Sequence, residues 1–206
     1  MVMYSKTKTM QPDKLIIPGI SEENMHILRY NTKDYAQYVL MVKNFLSGYC
    51  PFCTIDTTIN KVLYQNASWK IWESAFPQRH HALQLIILHN QHINHTKQMT
   101  PEDWVNLGEM DRWANAHFDI PGGGFAARIG TPELNACSVP GHLHWNIQVP
   151  DGTGRVSVVL HKTEEEMEEQ LKRALVYEKI RLGTTYEDLN FEEIKLIKGR
   201  YPSLSY

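Results

Sequence analysis

Apolar and polar positions change period several times along the chain, and each change marks an element. Between Asn31 and Phe45, Tyr35, Tyr38, Val39, Val42 and, just beyond, Leu46 recur at helical spacing, with Thr32 as an N-cap and Gly48 as a stop. Two short β-like runs follow, Lys61 to Tyr64 and Trp69 to Trp72, separated by the turn-prone Asn66-Ala67-Ser68, and Ala82 to Leu88 is nearly continuously apolar. These three predict an antiparallel meander. Thr100-Pro101-Glu102-Asp103 combines a cap, a proline at the first helical position and first-turn acids, so a helix is expected to about His117. Its Trp104, Leu107, Met110 and Trp113 fall on one face, expected to join the core.

Pro121-Gly122-Gly123-Gly124 turns the chain into a predicted strand at Phe125 to Ile129, and a second strand is expected at His142 to Val149. Arg155 to Leu160 alternates in β fashion, Thr163 to Glu166 is a capping box opening a helix to about Arg181, closed by Gly183, and a last short helix spans Tyr186 to Lys198. Residues 1 to about 20 carry Pro12 and Pro18 without a period and read as an extended arm. This order predicts an α+β fold with an antiparallel sheet and flanking helices. Three parts are expected: an N-terminal arm and helix (1–48), a core (49–161) and a C-terminal helical extension packed on it (162–206).

Composition narrows the field. A chain of 206 residues has room for one well-buried core. The formal net charge of -2 provides no basic field for bulk nucleic-acid binding. Apolar runs such as Leu85 to Leu88 fall far short of a bilayer span, and no apolar segment follows Lys6, Lys8 and Lys14, so a cytoplasmic protein is expected. The three cysteines, Cys50, Cys53 and Cys137, suit a metal site or free thiols better than a disulfide framework.

Chemistry concentrates in Asn135 to Pro150. On a strand, His142, His144, Asn146 and Gln148 share one face while Leu143, Trp145, Ile147 and Val149 share the other. Four consecutive hydrogen-bonding side chains on one face, none of them Lys, Glu or Thr, set this strand apart from an ordinary solvated one. Cys50-Pro51-Phe52-Cys53 presents two sulfurs to one tetrahedral zinc if two more ligands arrive from elsewhere; a pair of reduced or redox-active thiols is the other reading. His92 lies just beyond the third predicted strand, among His89 and His95, as a ligand or as part of an exposed loop.

In their order, these features resemble the histidine-triad (HIT) superfamily, within it the branch of galactose-1-phosphate uridylyltransferase and the diadenosine-tetraphosphate phosphorylases. The resemblance covers about Tyr49 to Pro150: Cys-x-x-Cys, two strands and Phe76-Pro77, a strand leading to His92-Ile93, a Pro-Glu-Asp-Trp helix start, and Ser138 followed by the His-x-His strand. Triad hydrolases read His-x-His-x-His; here Asn146 occupies the third place, which is Gln in the transferase branch. The resemblance implies a HIT-like antiparallel sheet and a nucleotide or nucleotide-derived substrate, such as a dinucleoside polyphosphate or a nucleotide sugar. It implies His144 as nucleophile on an α-phosphorus, assisted by Asn146 and Ser138, with Ser74, Phe76, Asn135 and Gln148 as substrate contacts. It further implies a structural zinc on Cys50, Cys53, His92 and His142. Family members commonly dimerise through a sheet edge and a helix, so a homodimer is expected.

A neutral imidazole is a competent nucleophile near pH 7, and Asn146 and Ser138 can donate to nonbridging oxygens without adding charge. The alternatives are a HIT-type hydrolase, a zinc-stabilised nucleotide-binding protein without catalysis, and a cupin-like metal barrel. The cupin motif needs a Glu soon after the second His, and none occurs between His144 and Asp151. A zinc deaminase would need a His-x-Glu ahead of its Cys-x-x-Cys, which is absent.

Overall fold

The computed structural model describes residues 31–48, 50–130, 136–139 and 141–200. The expected N-terminal arm and Asn135 lie outside them. Helix α1 (Tyr35–Leu46) is capped by Asp34, whose carboxylate accepts from the Gln37 amide at 2.8 Å. Thr32 is not the cap, because a cap must directly precede the first helical residue with extended backbone, and Asp34 does so. Gly48 ends the helix in the left-handed region, at φ 70°.

The expected meander forms as β1 (Tyr64–Gln65), β2 (Trp69–Glu73) and β3 (His81–His89). Helix α2 (Pro101–Phe118) carries the Thr100/Asp103 capping box and closes at Asp119 in the left-handed conformation. Strands β4 (Gly124–Ala127) and β5 (His144–Pro150) complete a five-stranded antiparallel sheet in the order β1-β2-β3-β5-β4. Gly123 lies so close to β5 that a Cβ there would come within 2.5 Å of the Gln148 carbonyl oxygen, which only glycine avoids. The sheet is open, with edges at β1 and β4, so the cupin-like barrel is not the architecture.

Helix α3 (Glu164–Arg181) opens on the Thr163/Glu166 capping box. The single helix expected from Tyr186 to Lys198 is instead a 3-10 turn, Tyr186–Asp188, and a separate helix α4 (Phe191–Ile197). Asn190 causes the break: its side chain accepts from the Glu193 amide and its own amide donates to the Glu193 carboxylate, a capping box inside the predicted helix. Arg155 to Leu160 forms no strand. β5, from which the chain turns back, is already paired on both sides by β3 and β4, so the segment cannot pair with the strand that precedes it.

Two cores result. The first packs Trp69, Ile71, Leu85, Ile87, Leu143, Ile147 and Val149 of the sheet side against Leu107, Met110 and Ala114 of α2. Trp113 joins its margin, but Trp104 does not enter it: placed in the first turn of α2, it remains 46% exposed. The second core gathers Tyr38 and Val42 of α1 with Ala174, Val176, Tyr177, Leu189 and Ile197. N- and C-terminal helices thus form one layer. Among the described residues no helix is long and apolar enough to cross a membrane.

Candidate active site and metal centre

The alternation of β5 divides chemistry from core as the sequence predicts for His144, Asn146 and Gln148, but the strand starts at His144, so His142 precedes it instead of sharing that face. Leu143, Ile147 and Val149 pack toward α2, whereas His144, Asn146 and Gln148 face the other way, paired with Leu88, Ile86 and Gln84 of β3. His144 and Gln148 on this face are buried. The face forms one wall of a cavity of about 470 Å³ whose other walls include α1, α3 and the Cys50–Cys53 turn.

His144 is held at both ends of its chemistry. Its Nδ1 lies 2.8 Å from the His142 carbonyl oxygen, which can only accept, so Nδ1 carries the proton and Nε2 the lone pair. Burial pushes its pKa down to about 4, with the Arg128 charge acting in the same direction, so the ring is neutral near pH 7. Phe52, carried in by the Cys-x-x-Cys turn, meets the His144 ring edge-on at 5.1 Å between centroids.

A chain of hydrogen bonds also fixes Asn146. The Gln78 amide donates to Gln84 Oε1 at 2.9 Å, which turns Gln84 Nε2 to donate to Asn146 Oδ1 at 3.2 Å. Asn146 therefore has its amide nitrogen left to donate into the cavity. Ser138 lines the same cavity. Ser74, Phe76 and Gln148 line it too; the Ser74 hydroxyl also accepts from the Phe76 amide, and the Phe76 carbonyl accepts from Lys33. Asn135 lies outside the described residues. The sequence reading missed Gln84, Phe52, Lys33 and Arg128, all cavity-lining. Position supplied a signal for Gln84 alone, a polar residue inside the apolar run of β3.

The four proposed ligands come together. One ligand atom each from Cys50, Cys53, His92 and His142 lies within 4.8 Å of all the others. Cys50 and Cys53 Sγ are 3.5 and 3.6 Å from His142 Nδ1, and Cys53 Sγ is 3.1 Å from His92 Nδ1. Tetrahedral zinc, with bonds of about 2.3 Å to sulfur and 2.0–2.1 Å to nitrogen, sets such pairs about 3.5 Å apart. The donor set and its spacing are compatible with zinc. His142 has the matching tautomer, since its Nε2 lies 2.8 Å from the His89 carbonyl and must donate, leaving the Nδ1 lone pair among the sulfurs. Burial pushes the Cys50 thiol up to about 11, a penalty on the thiolate that a bound cation offsets.

No protein-family model matches the chain, and no curated protein does. Among solved structures, the chain is similar to a HIT family hydrolase from Clostridium thermocellum, at 15% identity over 53% of this chain and 96% of that one, with a TM-score of 0.42. It is also similar to a zinc-bound histidine triad family protein from Mycobacterium smegmatis, at 18% identity over 67% and 99%, with a TM-score of 0.40. A histidine triad nucleotide-binding protein from Candida albicans is 15% identical over 65% and 99%, with a TM-score of 0.43.

Proposed function

We propose that this chain is a nucleotidyl-transferring enzyme of the histidine-triad type, working through a covalent adduct on His144. The observation that carries the reading is the 2.8 Å contact from His144 Nδ1 to the His142 carbonyl, which leaves a neutral ring with its lone pair on Nε2. Nε2 attacks the α-phosphorus of a nucleotide, the P–N bond forms, and the bond to the leaving oxygen breaks with its electron pair departing on that oxygen. The ring then carries a positive charge, and the His142 carbonyl facing Nδ1–H stabilises it. Asn146 and Ser138 donate to the nonbridging oxygens. An acceptor oxygen next attacks phosphorus and gives any proton it carries to water, and the P–N bond breaks with its electron pair returning to Nε2, which restores neutral His144.

Transfer to a phosphate or sugar-phosphate is favoured over hydrolysis by Asn146 in the third place of the histidine strand; hydrolysis differs only in using water as acceptor. Cys50, Cys53, His92 and His142 would hold a structural zinc. With four protein ligands such a metal would have no open position and would supply a rigid link between the sheet and the Phe52 turn.

The test is intact-protein mass spectrometry after brief incubation with diadenosine tetraphosphate, a nucleoside phosphoramidate, UDP-glucose and GDP-mannose. A nucleoside monophosphate adduct that disappears in His144→Asn is expected. Neither adduct nor product from any of them would replace transfer with binding alone.

A further inference from the structure

Although the chain is acidic overall, its cations gather around the cavity that holds His144. Lys33, Arg79, Arg128, Lys162, Arg173 and Arg200 line it, against only Asp34 and Asp56. Both acids serve the backbone: Asp34 caps α1, and Asp56 accepts from the Thr58 amide. The cations meet mostly neutral oxygens. Arg128 Nε donates to the Val159 carbonyl at 2.7 Å, and Lys162 donates to the side-chain oxygens of Asn31, at 2.7 Å, and Gln170. Arg173 is 3% exposed and pairs with the largely exposed Glu169, and among the described residues its buried Nε has no hydrogen-bond partner.

Such contacts orient charge without cancelling it. Burial pushes Lys162 down to about 8, with Arg128 and Arg173 adding to the shift, and burial pushes Lys33 to about 8, with Arg128 again adding after the opposing effect of Asp34. Arg128 also acts on His144. Arg128 therefore links the nucleophile to a group of desolvated cations whose mutual repulsion an anion would relieve.

We infer that Arg128, Lys162 and Arg173 form a second anion subsite that holds the phosphates beyond the α-phosphate of a nucleoside polyphosphate. The inference rests on the reading that the α-phosphate sits at His144. It makes the leaving group a phosphate chain rather than an amine or a neutral group. It also gives the helical layer a role, because Lys162 immediately precedes the α3 cap and Arg173 lies within α3.

The test is calorimetric titration of the full metal-replete chain with sodium tripolyphosphate. Wild type should bind. Lys162→Gln and Arg128→Gln should each bind about tenfold or more weakly, as expected when one charge-assisted contact is removed. Lys172→Gln, at an exposed i,i+4 pair outside the cavity, should match wild type. Thermal melts of each variant exclude unfolding, and nucleoside monophosphate affinity should change little in Lys162→Gln. A nucleoside triphosphate should displace tripolyphosphate, as one contiguous site requires.

No tripolyphosphate binding, equal binding by Lys162→Gln, equal losses for monophosphate and tripolyphosphate, or no displacement by the triphosphate would each overturn the subsite. The two readings fail separately. Charge-dependent tripolyphosphate binding without any His144 adduct retains the subsite and removes transfer, whereas an adduct from the phosphoramidate without tripolyphosphate binding does the reverse.

Discussion

Two polar centres lie side by side on the chain, one closed and one open. In the Cys50, Cys53, His92 and His142 cluster, each donor atom turns toward the others within 4.8 Å. Around His144, Asn146 and Ser138 the donors face a cavity of about 470 Å³. His142 and His144 are two residues apart, and burial pushes both down to about 4, yet they carry opposite tautomers. The His89 carbonyl takes the Nε2 proton of one, and the His142 carbonyl takes the Nδ1 proton of the other. Which ring nitrogen the backbone occupies, rather than the residue type, separates the two histidines and suits them to the two proposed roles of ligand and nucleophile.

The comparison breaks most sharply at His144. His144→Asn should lower turnover by about 10³-fold or more while metal content and melting temperature hold, measured by steady-state assay, metal analysis and calorimetry. The opposite pattern is expected at the closed centre: Cys50→Ser, or chelation, should lower unfolding free energy by several kcal/mol, of order 5, with activity lost as a consequence. Denaturant titration with and without added zinc reads this directly.

Smaller effects sharpen the open centre. Asn146→Ala should reduce turnover by about 10²-fold, the size of a lost transition-state donor. Gln84→Ala, which frees Asn146 to rotate, should cost about tenfold in kcat with little change in KM. The smallest effect is on pH. Lys162 faces Arg128, Arg173, Glu166 and Cys137, and Lys33 faces Asp34 and Arg128; each lysine is charged below its folded pKa of about 8 and neutral above it. Tripolyphosphate affinity should therefore fall a few-fold as pH rises through about 8, rather than near the ordinary lysine value. An affinity flat across that range would remove Lys162 from the subsite.

Elements announced by local signals were legible in the sequence. The Thr100 and Thr163 capping boxes, the apolar run of β3 and the strict alternation of β5 each act within a few residues of themselves. Arg155 to Leu160 was misread because alternation specifies faces, whereas a strand also needs a free neighbour, and that is decided by sheet order. The helix from Tyr186 was misjudged because a capping box at Asn190 overrides continuous periodicity. At the site, Cys50, Cys53, His92, His142, His144 and Asn146 were legible through motif order. Arg128, Lys162 and Arg173 were not, since they come from β4's exit, the approach to α3 and α3 itself, and only the folded cavity brings them together. Nor could the sequence show that Gln84 sets the orientation of Asn146.

His142 touches both centres at once. Its ring stands among the sulfurs while its carbonyl holds the proton of His144, so one peptide unit belongs to the cluster and to the nucleophile. Cys50 and His142 are 92 residues apart, and the pocket around the nucleophile needs that long span of chain to have closed. On the proposed function, a metal that closed the cluster would therefore also steady the carbonyl against which His144 Nδ1 is set, tying the two centres through a single residue.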